Sequence, residues 1–208
     1  MILRDIPFTI PRDKVLLRLK FNVNVSKSNE KIDHLIDSMM DEGYMIAQSR
    51  ASIQDFYIKE NKMEEIRLVD TNFIIRGRKI AEHLKNCFKI SFMVCTIGDE
   101  FTQAVESLSS GGEITKAVIL DAVGSEAIEA LADTVTNIIK QNAKTERADI
   151  ITRFSPGYGD WPVAEQKELL KIVEAKKIGV RLTEQYLMIP EKSISACIGW
   201  IKRNVTPP

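Results

Sequence analysis

Arg153, Ser155, Tyr158, Asp160 and Trp161 stand close together, interleaved with Pro156, Gly157, Gly159 and Pro162. These residue types suit one chemistry. A guanidinium presents a planar fork of donors that matches a carboxylate, and aromatic rings offer flat apolar faces to a heterocycle. Pro156 presets φ at the second position of a turn, and Gly157 supplies the positive φ that a type II turn needs third, so Ser155 to Tyr158 reads as a tight reversal. Gly159 leaves Tyr158 between two residues without Cβ, where another molecule can approach the main chain. If the chain before the turn is extended, Arg153 and Ser155 point the same way. The stretch would then cradle a carboxylate-bearing ligand with a flat ring. The same residues also make an ordinary surface turn, and the physics of the stretch alone leaves both readings open.

A second candidate is Glu126, inside a long helix expected from about Glu113 to Ala143. Its apolar stripe runs through Ile114, Ala117, Val118, Ile128, Leu131, Ala132, Val135, Ile138 and Ile139. Gly124 and Ser125 interrupt it. The glycine costs about 1 kcal/mol of helix propensity, which implies that something packs close there. Glu126 beside that gap is either an exposed helix glutamate or a carboxylate lining a pocket. His34 and His83 have no histidine or cysteine at ligand spacing, so no metal site is expected. Cys87, Cys95 and Cys197 lack the close spacing of a zinc or redox motif and read as reduced, packed thiols.

The remaining elements must position these groups. Residues 1–10 suggest an edge strand because of Pro7, and Pro11 opens a short helix to Lys20. Ser28 or Asn29 would cap a helix carrying Ile32, Leu35, Ile36 and Met39 that ends near Gly43. Strands are expected around Phe56 to Ile58 and Ile66 to Val69, separated by a charged loop at Glu60 to Glu65. A helix should run from Arg78 to about Asn86, its two flanking arginines Arg76 and Arg78 solvated. Phe88 to Ile97 alternates most regularly, and Met93 and Cys95 on the second face imply that this face too is at least partly covered. A helix follows from Gly98 to about Leu108. Pro162 would begin another over Val163 to Glu174, flanked by Asp160 or Trp161 as cap. Leu182 to Ile189 and Ser193 to Ile201 read as a hairpin joined by Pro190-Glu191-Lys192. The order implies an α+β fold, an antiparallel sheet with packed helices.

The bulk composition narrows the function classes. The chain has 208 residues, a hydrophobic share of 44% and a charged share of 28%, with basic and acidic residues equal at 29 each. No global field draws it to nucleic acid. No apolar run approaches the roughly 18 residues of a membrane span, and Arg4, Asp5, Pro7 and Pro11 break any N-terminal signal segment. A cytoplasmic protein is expected, with residues 1–208 as a single domain and about 1–50 as a small helical appendage.

Arg-x-x-Pro-Gly-Tyr at 153–158, the proline-started helix, the run from Ile178 to Pro190 and Ser-Ile-Ser at 193–195 together resemble the activation domain of cobalamin-dependent methionine synthase. The resemblance is firmest from Asp121 to Gly199. It implies a curved antiparallel sheet that binds S-adenosylmethionine when the cobalamin cofactor has left the catalytic cycle oxidised. A flavodoxin-type donor would reduce cob(II)alamin, and the sulfonium methyl would pass to cob(I)alamin, restoring methylcobalamin. Carried across, Arg153 would hold the ligand's α-carboxylate, and Ser155, where the family often has alanine, would give backbone contacts to the adenine. Gly157 and Tyr158 would lie beside the adenosyl and sulfonium portion, and Glu126 would be the pocket carboxylate; no residue is singled out as catalytic. Two family features have no counterpart here, an N-terminal aspartate that meets the ligand's amino group and a tyrosine beyond the last strand. The resemblance therefore implies a methyltransferase-type activation subunit in methionine biosynthesis, acting on cobalamin carried by a separate methionine synthase subunit. The alternative is a non-enzymatic docking or corrinoid-capping module for another corrinoid methyltransferase.

Overall fold

A computed structural model describes residues 1–20 and 30–203. In chain order its regular elements are β1 (Ile2–Arg4), α1 (Arg12–Arg18), α2 (Glu30–Ile46), β2 (Arg50–Lys62), β3 (Glu65–Leu68), β4 (Ile74–Arg76), α3 (Arg78–His83), β5 (Lys89–Thr96) and α4 (Glu100–Ser110). They continue with α5 (Ile114–Thr145), β6 (Ala148–Ile150), α6 (Gln166–Ile172), β7 (Arg181–Leu182), β8 (Met188–Ile189) and β9 (Ser193–Lys202).

The main sheet has the order β4-β3-β2-β5-β9-β6, with β1 added along β2, and every pairing in it is antiparallel. β2 spans two neighbours. Arg50 to Tyr57 pairs with β5, while Ile58 to Lys62 pairs with β3 after a register shift between Ile58 and Glu60. Such an irregularity bends a strand and increases its twist, and the sheet curls into a half-barrel. The fold is thus the α+β arrangement expected, with a curved antiparallel sheet and one long helix.

The alternation of β5 divides the core. Ile90, Phe92 and Val94 belong to a cluster with Phe73, Leu84, Trp161, Leu169 and Cys197. Met93 and Cys95 belong to a second cluster with α1, α2, α4 and α5 side chains. All eight β5 residues are buried, Lys89, Ser91 and Thr96 among them, because both faces of the strand are covered. Ile6, Ile10, Val15, Leu16, Ile36 and Met39 from the first part of the chain pack into the second cluster.

α5 has 32 residues and so a length of about 48 Å. Its small residues let neighbours come close. A Cβ on Gly124 would fall 2.7 Å from Phe101 Cδ1, and one on Gly43 would fall 2.7 Å from Val123 Cγ1 and 3.3 Å from Phe101 Cζ. The Phe101 ring of α4 therefore fits only because both helices are thin there. This is the close packing that Gly124 implied, and it also explains why Gly43 does not end α2, which continues to Ile46. The Ser28 or Asn29 cap lies outside the described residues.

Several local expectations are corrected. Leu182 to Ile189 and Ser193 to Ile201 do not form a hairpin: the first segment folds on itself as the short pair β7–β8, and β9 lies between β5 and β6. β2 runs on to Lys62, so the loop before β3 is only Met63 and Glu64. α3 ends at His83, short of Asn86. After Pro162 comes one 3-10 turn, Val163–Glu165, then α6, which stops at Ile172 before the left-handed Glu174, φ 55°.

Candidate functional site

The stretch from Ile151 to Phe154 runs beside β9. The Ile151 N–H donates to Gly199 O at 2.9 Å, and Phe154 exchanges backbone bonds with Cys197 at 3.0 and 2.8 Å. This extended geometry sends Phe154 to one side, against His83 and Trp161 at ring distances of 5.2 and 6.3 Å. Arg153 and Ser155 alternate with it, and all three residues border a cavity of about 420 Å3. The volume lies within the roughly 300–1,000 Å3 of small-molecule sites.

The reversal has the expected geometry. Gly157 has φ 91°, and the Tyr158 N–H donates to Ser155 O at 3.1 Å. The Gly157 N–H donates across the loop to Trp161 O at 2.8 Å, and Trp161 is buried. Its indole N–H donates to Glu165 Oε2 at 2.8 Å, and that carboxylate also accepts from the backbone and side chain of Arg76. Asp160 was expected to flank the following helix. Instead it accepts from the Arg78 and Lys79 N–H groups at 2.8 and 3.0 Å and caps α3. Arg76 and Arg78 thus anchor the loop from a distant part of the chain.

Arg153 is the most polar feature of the cavity. Its Nη2 donates to Asp133 Oδ1 at 2.9 Å and Glu129 Oε2 at 3.3 Å, both on α5. Its Nη1 is buried and has no hydrogen-bond partner among the described residues. The far wall comes from β9 and α6. Ser195 Oγ donates to Gln166 Oε1 at 2.8 Å, and Gln166 Nε2 donates to Tyr186 O at 2.8 Å. Ser193 and Met188 line the same wall, and Tyr158 stands at the cavity with 69% of its surface exposed.

The structure brings together Arg153, Ser155 and Tyr158 of the residues chosen from sequence. Gly157 shapes the turn without lining the cavity. Glu126 does not line it either: its buried carboxylate accepts from Arg18 Nε at 2.6 Å, joining α5 to α1. Glu129, three residues further along α5, lines the cavity. Sequence reasoning missed Glu129, Asp133, Gln166, Ser193 and Ser195. The four-residue spacing of Glu129 and Asp133 on one face of a helix was the available signal.

The other reactive side chains are absorbed by structure. The three cysteines are free thiols, and burial pushes Cys87 up to about 11 and Cys95 up to about 12, with Cys197 also raised. His83 Nε2 lies 2.9 Å from Thr152 O. Among the described residues, no helix is long and apolar enough to cross a membrane.

A family model described as "Vitamin B12 dependent methionine synthase, activation domain" matches residues 44–203. The chain belongs to this family. The activation-domain match includes the whole Arg153 loop and all of α5, and it begins at the end of α2, so β1 and α1 lie outside it. A solved structure described as the crystal structure of the MetH reactivation domain bound to AdoHcy is similar, with TM-score 0.66 and 11% sequence identity. That likeness covers 100% of this chain and 80% of the other. At such low identity it shows a shared activation-domain fold, and the bound ligand is a property of that other protein.

Proposed function

We propose that this activation-domain chain binds S-adenosylmethionine in the cavity beside Arg153 and supports reductive methylation of cobalamin on a separate methionine synthase subunit. The observation that carries the reading is the cavity of about 420 Å3 that Arg153, Ser155 and Tyr158 line together. A guanidinium at the cavity gives a ligand carboxylate a charge-assisted hydrogen-bonding partner. Arg153 then holds the α-carboxylate, while Glu129 and Asp133 offer the ammonium group acceptors. Ser155 gives main-chain contacts to the adenine. Gly157 keeps the turn open, and Tyr158 lies along the adenosyl and sulfonium portion.

The described residues gather no cluster of three or more histidine, cysteine or acidic side chains suited to a metal, and the corrinoid is assigned to the partner. When docked, that cofactor supplies a reduced cobalt able to accept the methyl group. This chain's residues bind and orient the donor so that its methyl faces outward. The sulfur–methyl bond breaks with the electron pair left on sulfur, and the ligand remains as a thioether. A flavodoxin-type protein is the proposed electron donor, the cytoplasm the proposed location, and residues 1–208 the proposed single working unit.

Calorimetric titration of the wild-type chain with S-adenosylmethionine, alone and with the cobalamin-bearing subunit, tests the proposal. Binding together with transfer of labelled methyl to the partner's corrinoid is expected. No binding under either condition refutes it. Tight partner binding without methyl transfer would instead favour the docking or corrinoid-capping reading.

A further inference from the structure

We propose that Glu129 and Asp133 make this cavity select the charged methyl donor over its demethylated product. The inference rests on the functional reading above, which places an S-adenosyl amino acid beside Arg153. Of the described residues lining the cavity, Glu129 and Arg153 alone are charged. Asp133 adds a second carboxylate 2.9 Å from the same guanidinium nitrogen. One cation and two anions leave the cluster with one net negative charge, on a chain whose basic and acidic residues balance at 29 each. The excess is local to the site.

S-adenosylmethionine carries a carboxylate, an ammonium and a sulfonium, so it has one net positive charge and neutralises the cluster. Methyl transfer breaks the sulfur–methyl bond heterolytically. The pair stays on sulfur, the methyl goes to the partner's reduced corrinoid, and the sulfonium charge disappears. The product is a neutral zwitterion. It can still pair its two charged groups, but it leaves the negative excess uncompensated. The donor is therefore drawn in and the spent ligand released by the same two side chains. Their side-chain exposures of 48% and 58% put water between many of the charges, so the preference amounts to about fivefold and is sensitive to salt.

The test is calorimetry with S-adenosylmethionine and S-adenosylhomocysteine on the wild type, on Glu129→Gln with Asp133→Asn, and on Glu129→Asp. The wild type is expected to favour the donor about fivefold at ~50 mM salt, with the ratio approaching one at ~1 M, where the screening length is about 3 Å. The doubly neutral variant should bind both ligands equally, and Glu129→Asp, which keeps the charge, should retain the preference. A ratio near one in the wild type overturns the inference while leaving the functional reading intact. So does a fall in both affinities with the ratio unchanged, since the acids would then only position Arg153. Failure of the wild type to bind either ligand removes the functional reading, and this inference with it.

Discussion

Glu126 and Glu129 are neighbours on one helix, α5, and each meets an arginine, yet their surroundings differ. The Glu126 carboxylate is 8% exposed and pairs with one arginine, Arg18 of α1. Glu129 is 48% exposed and shares Arg153 with Asp133, and the other terminal guanidinium nitrogen is buried without a hydrogen-bond partner among the described residues. The first contact is closed: removing Arg18 leaves a buried carboxylate without its partner and admits no ligand. The second is open: its carboxylates are hydrated, and its cation lines a cavity. An arginine–carboxylate pair thus says little by itself, and burial of the acid and a cavity beside the cation separate a brace from a binding site.

Arg153→Ala should break the comparison most visibly. Its two partners are half exposed, so urea unfolding should shift by less than about 1 kcal/mol. Loss of the charged, partly shielded contact should cost about 2–4 kcal/mol of S-adenosylmethionine affinity, roughly thirtyfold to several hundredfold. Arg18→Ala should do the reverse. A carboxylate left buried on α5 should lower unfolding stability by about 2 kcal/mol, with ligand affinity nearly unchanged. If Arg18→Ala weakens ligand binding as much as stability, the two contacts are one network and the distinction fails.

Gly124→Ala sharpens the contrast by thickening α5 just before both glutamates. Alanine gains about 1 kcal/mol of helix propensity, but its Cβ would meet Phe101 Cδ1 at 2.7 Å. Phe101 is fully buried and its ring also packs against Gly43 of α2, so it has little room to swing away. Overpacking should win, with a net loss of about 1–2 kcal/mol in thermal or urea unfolding. A small part of the effect should reach the ligand site through Lys192, whose Cε lies 3.3 Å from the same position and which precedes Ser193 of the cavity wall.

What was legible in the sequence follows the range of the interactions. β5 showed itself because alternation is a local property, and burial of both faces left Met93 and Cys95 as a visible trace. α5 showed itself by its stripe, and the Ser155 to Tyr158 reversal by residues whose φ values are nearly intrinsic. The position of β9 was hidden. Turn residues near Pro190 suggest pairing with the strand just before, whereas Ser193 to Trp200 pairs with Lys89 to Thr96, about a hundred residues earlier in the chain. The choice of Glu126 over Glu129 failed to reach the cavity for a similar reason. Adjacency to Gly124 marks where the helix is thin, but which carboxylate meets the cavity depends on Arg18 and Arg153, one far before α5 in the sequence and one after it.

The smallest expected effect concerns Asp160, another carboxylate whose partner was unreadable locally. It accepts from two N–H groups of α3, so Asp160→Ala removes a helix cap worth about 1 kcal/mol of stability. Its effect on the site depends on whether the loop holds its shape alone. The Gly157 N–H bond to Trp161 O, the buried Trp161 side chain and the Glu165 bridge all remain in the variant. Affinity for S-adenosylmethionine should therefore fall no more than about threefold, in proportion to the modest loosening of one loop end. Amide exchange would separate the two contributions: faster exchange is expected at Arg78 and Lys79, with Gly157 and Tyr158 still protected. Exchange rising equally at Gly157 would mean that the open contact at Arg153 relies on α3 for its shape, placing the brace of the binding site outside α5 altogether.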